Sequence, residues 1–148
     1  IDFSNYLMPK SLKDIRLSDK QQEFLTTIIK VIPEWEKIIG LKQHHIHDYC
    51  LDIHTISTLK QVINSPEYEE LNRIHKLQLI YSALFHDMEK IEGIVDSKQP
   101  IKGAEKSLTI LQRLGFNENF ILNVYILVKY HQVMGFMAVN KLKIEEFD

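Results

Sequence analysis

A single cysteine, Cys50, among 148 residues rules out an intrachain disulfide. With it go the stapled frameworks of small secreted domains. Five glycines and four prolines are too few for a collagen-like or low-complexity chain. No apolar run approaches the roughly 18 residues a membrane span needs, and nothing reads as a secretory leader. Charge of one sign is also missing: 18 Lys and Arg stand against 20 Asp and Glu, and a net charge of −2 argues against a broad basic face for nucleic acid or anionic lipid. Alternating strand patterns longer than three or four residues are absent, as are internal repeats. These absences lead to the expectation of a soluble, cytoplasmic protein of a reducing compartment with no membrane partner.

What is present is helix signal. Hydrophobic residues make up 45% of the chain, enough for one core in one domain. Residues 1–17 are weakly periodic and read as an opening segment, and 18–148 as the domain proper. Because the chain opens on Ile1, a longer parent protein is expected. Ser18 and Gln21 form a capping box ahead of Phe24, Leu25, Ile28 and Ile29, a run that Pro33 stops. Pro33 begins a short turn that ends on Gly40. Residues 48–63 place Leu51, Ile56, Leu59 and Ile63 on one side and close at Asn64-Ser65-Pro66. Residues 70–86 repeat the pattern with Leu71, Ile74, Leu77, Ala83 and Leu84. The polar stretch EKIEGIVDSKQPIKG, with two glycines and a proline, reads as a loop. Helix resumes over 104–114, with Gly115 as a left-handed C-cap, and Asn117 caps a last helix through Phe120, Val124, Leu127 and His131. The expected fold is all-α, a single bundle of five or six helices.

Seven histidines need a role, and four of them, His44, His45, His47 and His54, fall within eleven positions. On a helix, His47 and His54 share a stripe with Leu51. His86 and Asp87 follow an apolar run directly, giving a nitrogen and an oxygen donor at a helix end. His131 ends the stripe of the last helix. Three helices thus each aim a ligand-type side chain at the packed side, which is how a bundle builds a metal site in its core. The plainer alternative is a set of hydrogen-bonded core histidines. His44, His45 and His75 read as surface, turn or supporting residues, and Cys50 as a small buried hydrophobe.

The segments HHIHDYCLDIHT, LFHDMEK and ILVKYHQVM resemble the HD superfamily of metal-dependent phosphohydrolases, named for its His…His-Asp…Asp ligand order. The stretch from Ile32 to Leu59 is similar to the opening of the HD domain in the bifunctional uridylyltransferase/uridylyl-removing enzymes of nitrogen signalling. Pro33-Glu34-Trp35, Gly40, Gln43-His44, His47, Tyr49, Asp52, His54 and Thr55 keep that spacing. The likeness continues through Leu84-Phe85-His86-Asp87 with Lys90, Gly103-Ala104, and Leu127 to His131 with Met134. It covers roughly residues 24–138.

The resemblance implies an HD-domain bundle in which His54, His86 and Asp87 ligate a metal and His131 serves a second metal or the substrate phosphate. It implies a catalytic pair, Asp87 and Lys90, with Lys90 as the phosphate contact. His47, Asp52 and Gln99 are assigned to the pocket or its supporting shell, Asp52 by accepting the free N–H of a ligand imidazole. The chain departs from the family at Gln99, where a histidine is expected, and near Leu142, where no carboxylate stands in register for the closing aspartate. Glu145, Glu146 or Asp148 would fit only with a shift.

Mixed imidazole and carboxylate donors suit one divalent transition metal, Fe, Mn, Zn or Co. With Gln99 in place of an imidazole, a second metal is expected to be absent or weak. The implied activity is a phosphoric ester hydrolase acting on a nucleotidylylated protein or a nucleotide-type small molecule. Two alternatives stand beside it. One is a non-catalytic HD domain that binds a nucleotide or effector, or scaffolds a larger nucleotidyltransferase-like protein. The other is the helical module of a tRNA-type nucleotidyltransferase, whose basic surface this composition does not provide.

Overall fold

The computed structural model describes residues 11–42, 50–90 and 98–130. Among them the chain is all-α, with no strand. The elements are α1 (Asp19–Val31), α2 (Leu51–Ile63), α3 (Pro66–Glu69), α4 (Arg73–Phe85), α5 (Gln99–Arg113) and α6 (Glu118–Lys129). Two 3-10 turns, Leu12–Asp14 and Pro33–Ile38, complete the set.

Local chemistry explains most of the boundaries. Ser18 accepts from the Gln21 amide while the Gln21 side chain accepts from the Ser18 amide, so the expected capping box opens α1. Asn72 and Asn117 cap α4 and α6 through their side-chain oxygens, each accepting from the amide three residues on. At the end of α5, Gly115 adopts φ +86°. The Phe116 amide reaches back to Leu111 O and the Gly115 amide to Gln112 O, a Schellman closure that needs this left-handed residue. Phe116 is thereby turned onto Phe120, the rings stacking at 4.2 Å between centroids, with Tyr81 of α4 edge-on at 5.4 Å from Phe116.

Helix α6 lies against both α5 and α4, and α4 against α2. The core they enclose contains Leu51, Ile53, Phe85, Met88, Ile110, Leu111, Val124 and Val128, all essentially inaccessible to solvent. Trp35 and Ile38 of the second 3-10 turn are equally buried and join this turn to the same core. A bidentate pair from Arg113 to Glu34, at 2.9 and 3.0 Å, ties it to the end of α5 on the surface. Within the opening segment, Leu12 belongs to the core.

Three expectations are corrected in detail. Helix α4 starts at Arg73, and residues 70–72, expected as its first turn, form the link from the short α3 instead. Ile74, expected on the buried stripe, is 60% exposed, because the inward face of α4 is set by Gln78, Ser82 and Phe85. The loop expected to run to Gly103 ends before Gln99, where α5 begins. Pro100 falls in its first turn, where the missing N–H costs nothing. Gly103, which reads as a breaker, lies inside the helix because α5 passes close to the end of α4: a Cβ there would sit 3.4 Å from Phe85 O and 3.5 Å from Val128 Cγ1.

Candidate metal centre

His54 lies in the first turns of α2, a helix that packs on α4, so its ring emerges beside the end of α4. There the α-helix stops at Phe85, His86 is its C-cap, and the chain tightens so that Met88 N donates to Phe85 O and Lys90 N to Asp87 O, both at 3.1 Å. Phe85 and Met88 are fully buried and anchor the bend. His86 and Asp87 between them are held at the edge of the core, 9% and 3% exposed.

Three donor atoms converge. Asp87 Oδ2 stands 3.1 Å from His54 Nε2 and 3.0 Å from His86 Nε2, and the two Nε2 atoms are 3.5 Å apart. Donors bonded to one ion at 2.0–2.1 Å lie roughly 3.0 Å apart in an octahedral set and 3.4 Å in a tetrahedral one. The observed triangle has these edges, so the residues present fit a first-row divalent ion. Three donors leave one tetrahedral position, or three octahedral ones, for water, substrate or a further side chain.

The ring of His86 is set by its other nitrogen. Nδ1 lies 2.6 Å from Ala83 O, an atom that only accepts, so Nδ1 carries a proton and Nε2 is the nitrogen turned to the centre, where in the neutral ring its lone pair would be open to an ion. Burial pulls the pKa of His86 down, but the hydrogen bond and charge of Asp87, with the Ala83 carbonyl, outweigh it and leave the ring more basic than an ordinary histidine. Lys90 Nζ approaches the second carboxylate oxygen, Oδ1 of Asp87, at 3.3 Å. Two imidazoles and an ammonium are therefore centred on the carboxylate of Asp87.

The structure thus brings together His54, His86 and Asp87, with Lys90 at their edge. His131 and His47 lie outside the described residues, as do His44, His45, Leu142 and the terminal acids. His75 is exposed on α4, and Cys50 is the N-cap of α2. Gln99 is 3% exposed, and its Nε2 donates to the main-chain carbonyl of His86 at 3.1 Å.

The supporting role expected of Asp52 toward an imidazole is corrected. Its Oδ2 accepts from Ser11 Oγ at 2.8 Å, Leu12 N at 3.0 Å and Gly40 N at 3.1 Å, while Oδ1 accepts from Ile53 N at 2.8 Å. The carboxylate faces the opening segment and the turn at Gly40, and these donors engage both of its oxygens. Sequence reasoning missed Ser11, Leu12 and Gly40 as partners of α2. A buried acid in the first turn of a helix was the available signal, because such an acid needs donors.

Fold and site together define an α-helical protein with a His–His–Asp cluster of metal-ligand type. Over about half its length the chain is also homologous to known enzymes. It is 33% identical to the bifunctional uridylyltransferase/uridylyl-removing enzyme of Neisseria meningitidis serogroup B, over 47% of this chain and 10% of that protein. It is 30% identical to the enzyme of the same name from Neisseria gonorrhoeae over the same shares. The chain spans about a tenth of the length of these curated relatives. No family model matches the chain, and no solved structure does. No helix among the described residues is long and apolar enough to cross a membrane.

Proposed function

We propose that the chain is an HD-type, metal-dependent phosphohydrolase that cleaves a phosphodiester or removes a nucleotidyl group from a protein, in the manner named for its relatives. The observation that carries this reading is the donor triangle of His54, His86 and Asp87, with edges of 3.0 to 3.5 Å. One ion per chain, Fe, Mn, Zn or Co, would be held by these three, with His131 as a further ligand or phosphate contact. When bound, the ion supplies Lewis acidity, lowering the pKa of water and offsetting phosphoryl charge.

The remaining work falls to the protein. His86 keeps its Nε2 turned inward through the Ala83 contact. Asp87 holds the negative charge that concentrates cations here. Lys90, about a third exposed, offers its ammonium as a point charge to an incoming phosphate. In the hydrolysis a water oxygen bonds to phosphorus, the bond to the leaving oxygen breaks, and that oxygen takes up a proton.

The test is metal content and turnover. Protein purified without added metal is analysed for bound ions, then assayed on a generic phosphodiester and on a uridylylated protein with each of the four metals. About one equivalent of metal, with turnover lost in His86→Ala, supports the reading; turnover that survives in His86→Ala removes it. A second reading, a non-catalytic HD domain that binds a nucleotide or effector or scaffolds a larger protein, draws on Gln99, whose amide N–H is engaged by a backbone carbonyl. Bound metal and nucleotide without turnover favours that one. In either case the partner is a nucleotidylylated protein or a nucleotide-type small molecule, and the compartment the cytoplasm.

A further inference from the structure

The last carbonyls of a helix have no partner within it and must find one elsewhere. At the end of α4, Phe85 O takes the Met88 amide. His86 O takes Gln99 Nε2, a donor from the first turn of α5 thirteen residues later. Glutamine is seldom this deeply buried, and among the described residues Gln99 Oε1 finds no hydrogen-bond partner. The amide cannot simply be turned over, because its oxygen would then face the oxygen of His86. One turn further along, Gly103 lets the helix seat itself: a Cβ at 103 would lie 3.4 Å from Phe85 O and 3.7 Å from Gln99 Nε2. Gln99 and Gly103 together form a saddle on the two carbonyls that close α4.

The carbonyl that Gln99 grips belongs to a particular peptide plane. The C=O of His86 and the N–H of Asp87 are parts of one rigid unit, so aiming that carbonyl fixes the plane joining two proposed metal ligands. We propose that Gln99 is a positioning residue for the metal centre: by holding His86 O it sets the relative orientation of His86 and Asp87, without itself donating to the ion. This rests on the reading of the triad as a metal site. His86 is then constrained twice, its ring by Ala83 O and its main chain by Gln99, and Asp87 inherits the second constraint.

The test uses Co²⁺ alone as probe, titrated into the metal-free full chain. Kd and the visible absorption of the bound ion are read for the parent, Gln99→Met, Gln99→Asn and His86→Ala. Met keeps the length of Gln and removes the donor; Asn keeps an amide but withdraws it by one methylene, and serves should the Met variant fail to fold. Loss of a group that orients ligands weakens binding by about tenfold or more. The expected result is that loss, with a changed absorption spectrum, while the metal-free variants unfold within a few degrees of the parent. Parent-like Kd and spectrum in the folded variants would overturn the proposal, as would lower metal-free stability with unchanged affinity. If the parent binds Co²⁺ no better than His86→Ala, the metal reading itself fails, and the positioning role with it.

Discussion

His54 and His86 present their Nε2 atoms to each other at 3.5 Å across the single oxygen Oδ2 of Asp87. Without an ion the two rings share that oxygen, and at least one N–H between them is needed to donate to it. An ion in the same place would require both nitrogens unprotonated. Metal and proton therefore compete for one triangle.

That competition has a direction. The pKa of His86 is raised above its usual value in the folded, metal-free protein, so its protonated form contributes stability that is fully present below the unfolded pKa of about 6.5. This contribution is lost as pH rises through the folded pKa. Metal affinity should run the other way, increasing over the same interval. Thermal unfolding with chelator and with metal, from pH 5.5 to 8.5, should show the metal-dependent gain in Tm widening with pH. A gain independent of pH would separate His86 from the ion.

His86→Ala and Asp87→Ala should each lose bound metal and phosphodiesterase turnover while keeping most of their helicity. The ligands sit at a helix end, and the core of Phe85, Met88, Val124 and Val128 does not depend on their polar atoms. Metal analysis, circular dichroism and turnover on one preparation would check this. Unfolding of either variant would make these residues structural.

Asp52→Asn should be costly without touching a ligand. Whichever way the amide turns, its NH2 meets a buried backbone donor, Ile53 N on one side or Leu12 N and Gly40 N on the other, and the charge-assisted bonds are lost, at about 2–3 kcal/mol. For a chain of this length that corresponds to a Tm lower by about 5–10 °C. Differential scanning calorimetry would measure it, and a change under 2 °C would contradict the network described.

Gly115→Ala tests the end of α5. Among the described residues, no atom beyond its own chain neighbours lies within 4 Å of a Cβ at this position, so the cost is backbone strain alone at φ +86°. About 1 kcal/mol is expected in chemical denaturation, with metal affinity unchanged.

How far the sequence carried the structure depends on the range of each interaction. The capping box at Ser18, the cap at Asn117 and the left-handed Gly115 were all legible, since each is settled by residues three or four positions away. His54 and the His86-Asp87 pair were legible because helical spacing and an apolar run placed them at inward positions. The start of α5 was not: Pro100 and Gly103 read locally as loop, and only the approach of α5 to the end of α4 makes a glycine useful there. Nor were the partners of Asp52, Gly40 12 residues upstream and Ser11 and Leu12 at 41 and 40.

The spacing of the proposed ligands would also make the centre a fastener. Two donors are neighbours in the chain, and the third lies 32 residues before His86, so an ion bound to all three would close a loop holding most of α2 together with α3 and α4. A ligand that binds only the folded form at a hundred times its Kd adds about 2.7 kcal/mol of stability. Loading and chelation would then act on the mechanical integrity of this half of the bundle as well as on its chemistry. Proteolysis within the loop closed by the ion should slow when metal is present and quicken when it is stripped.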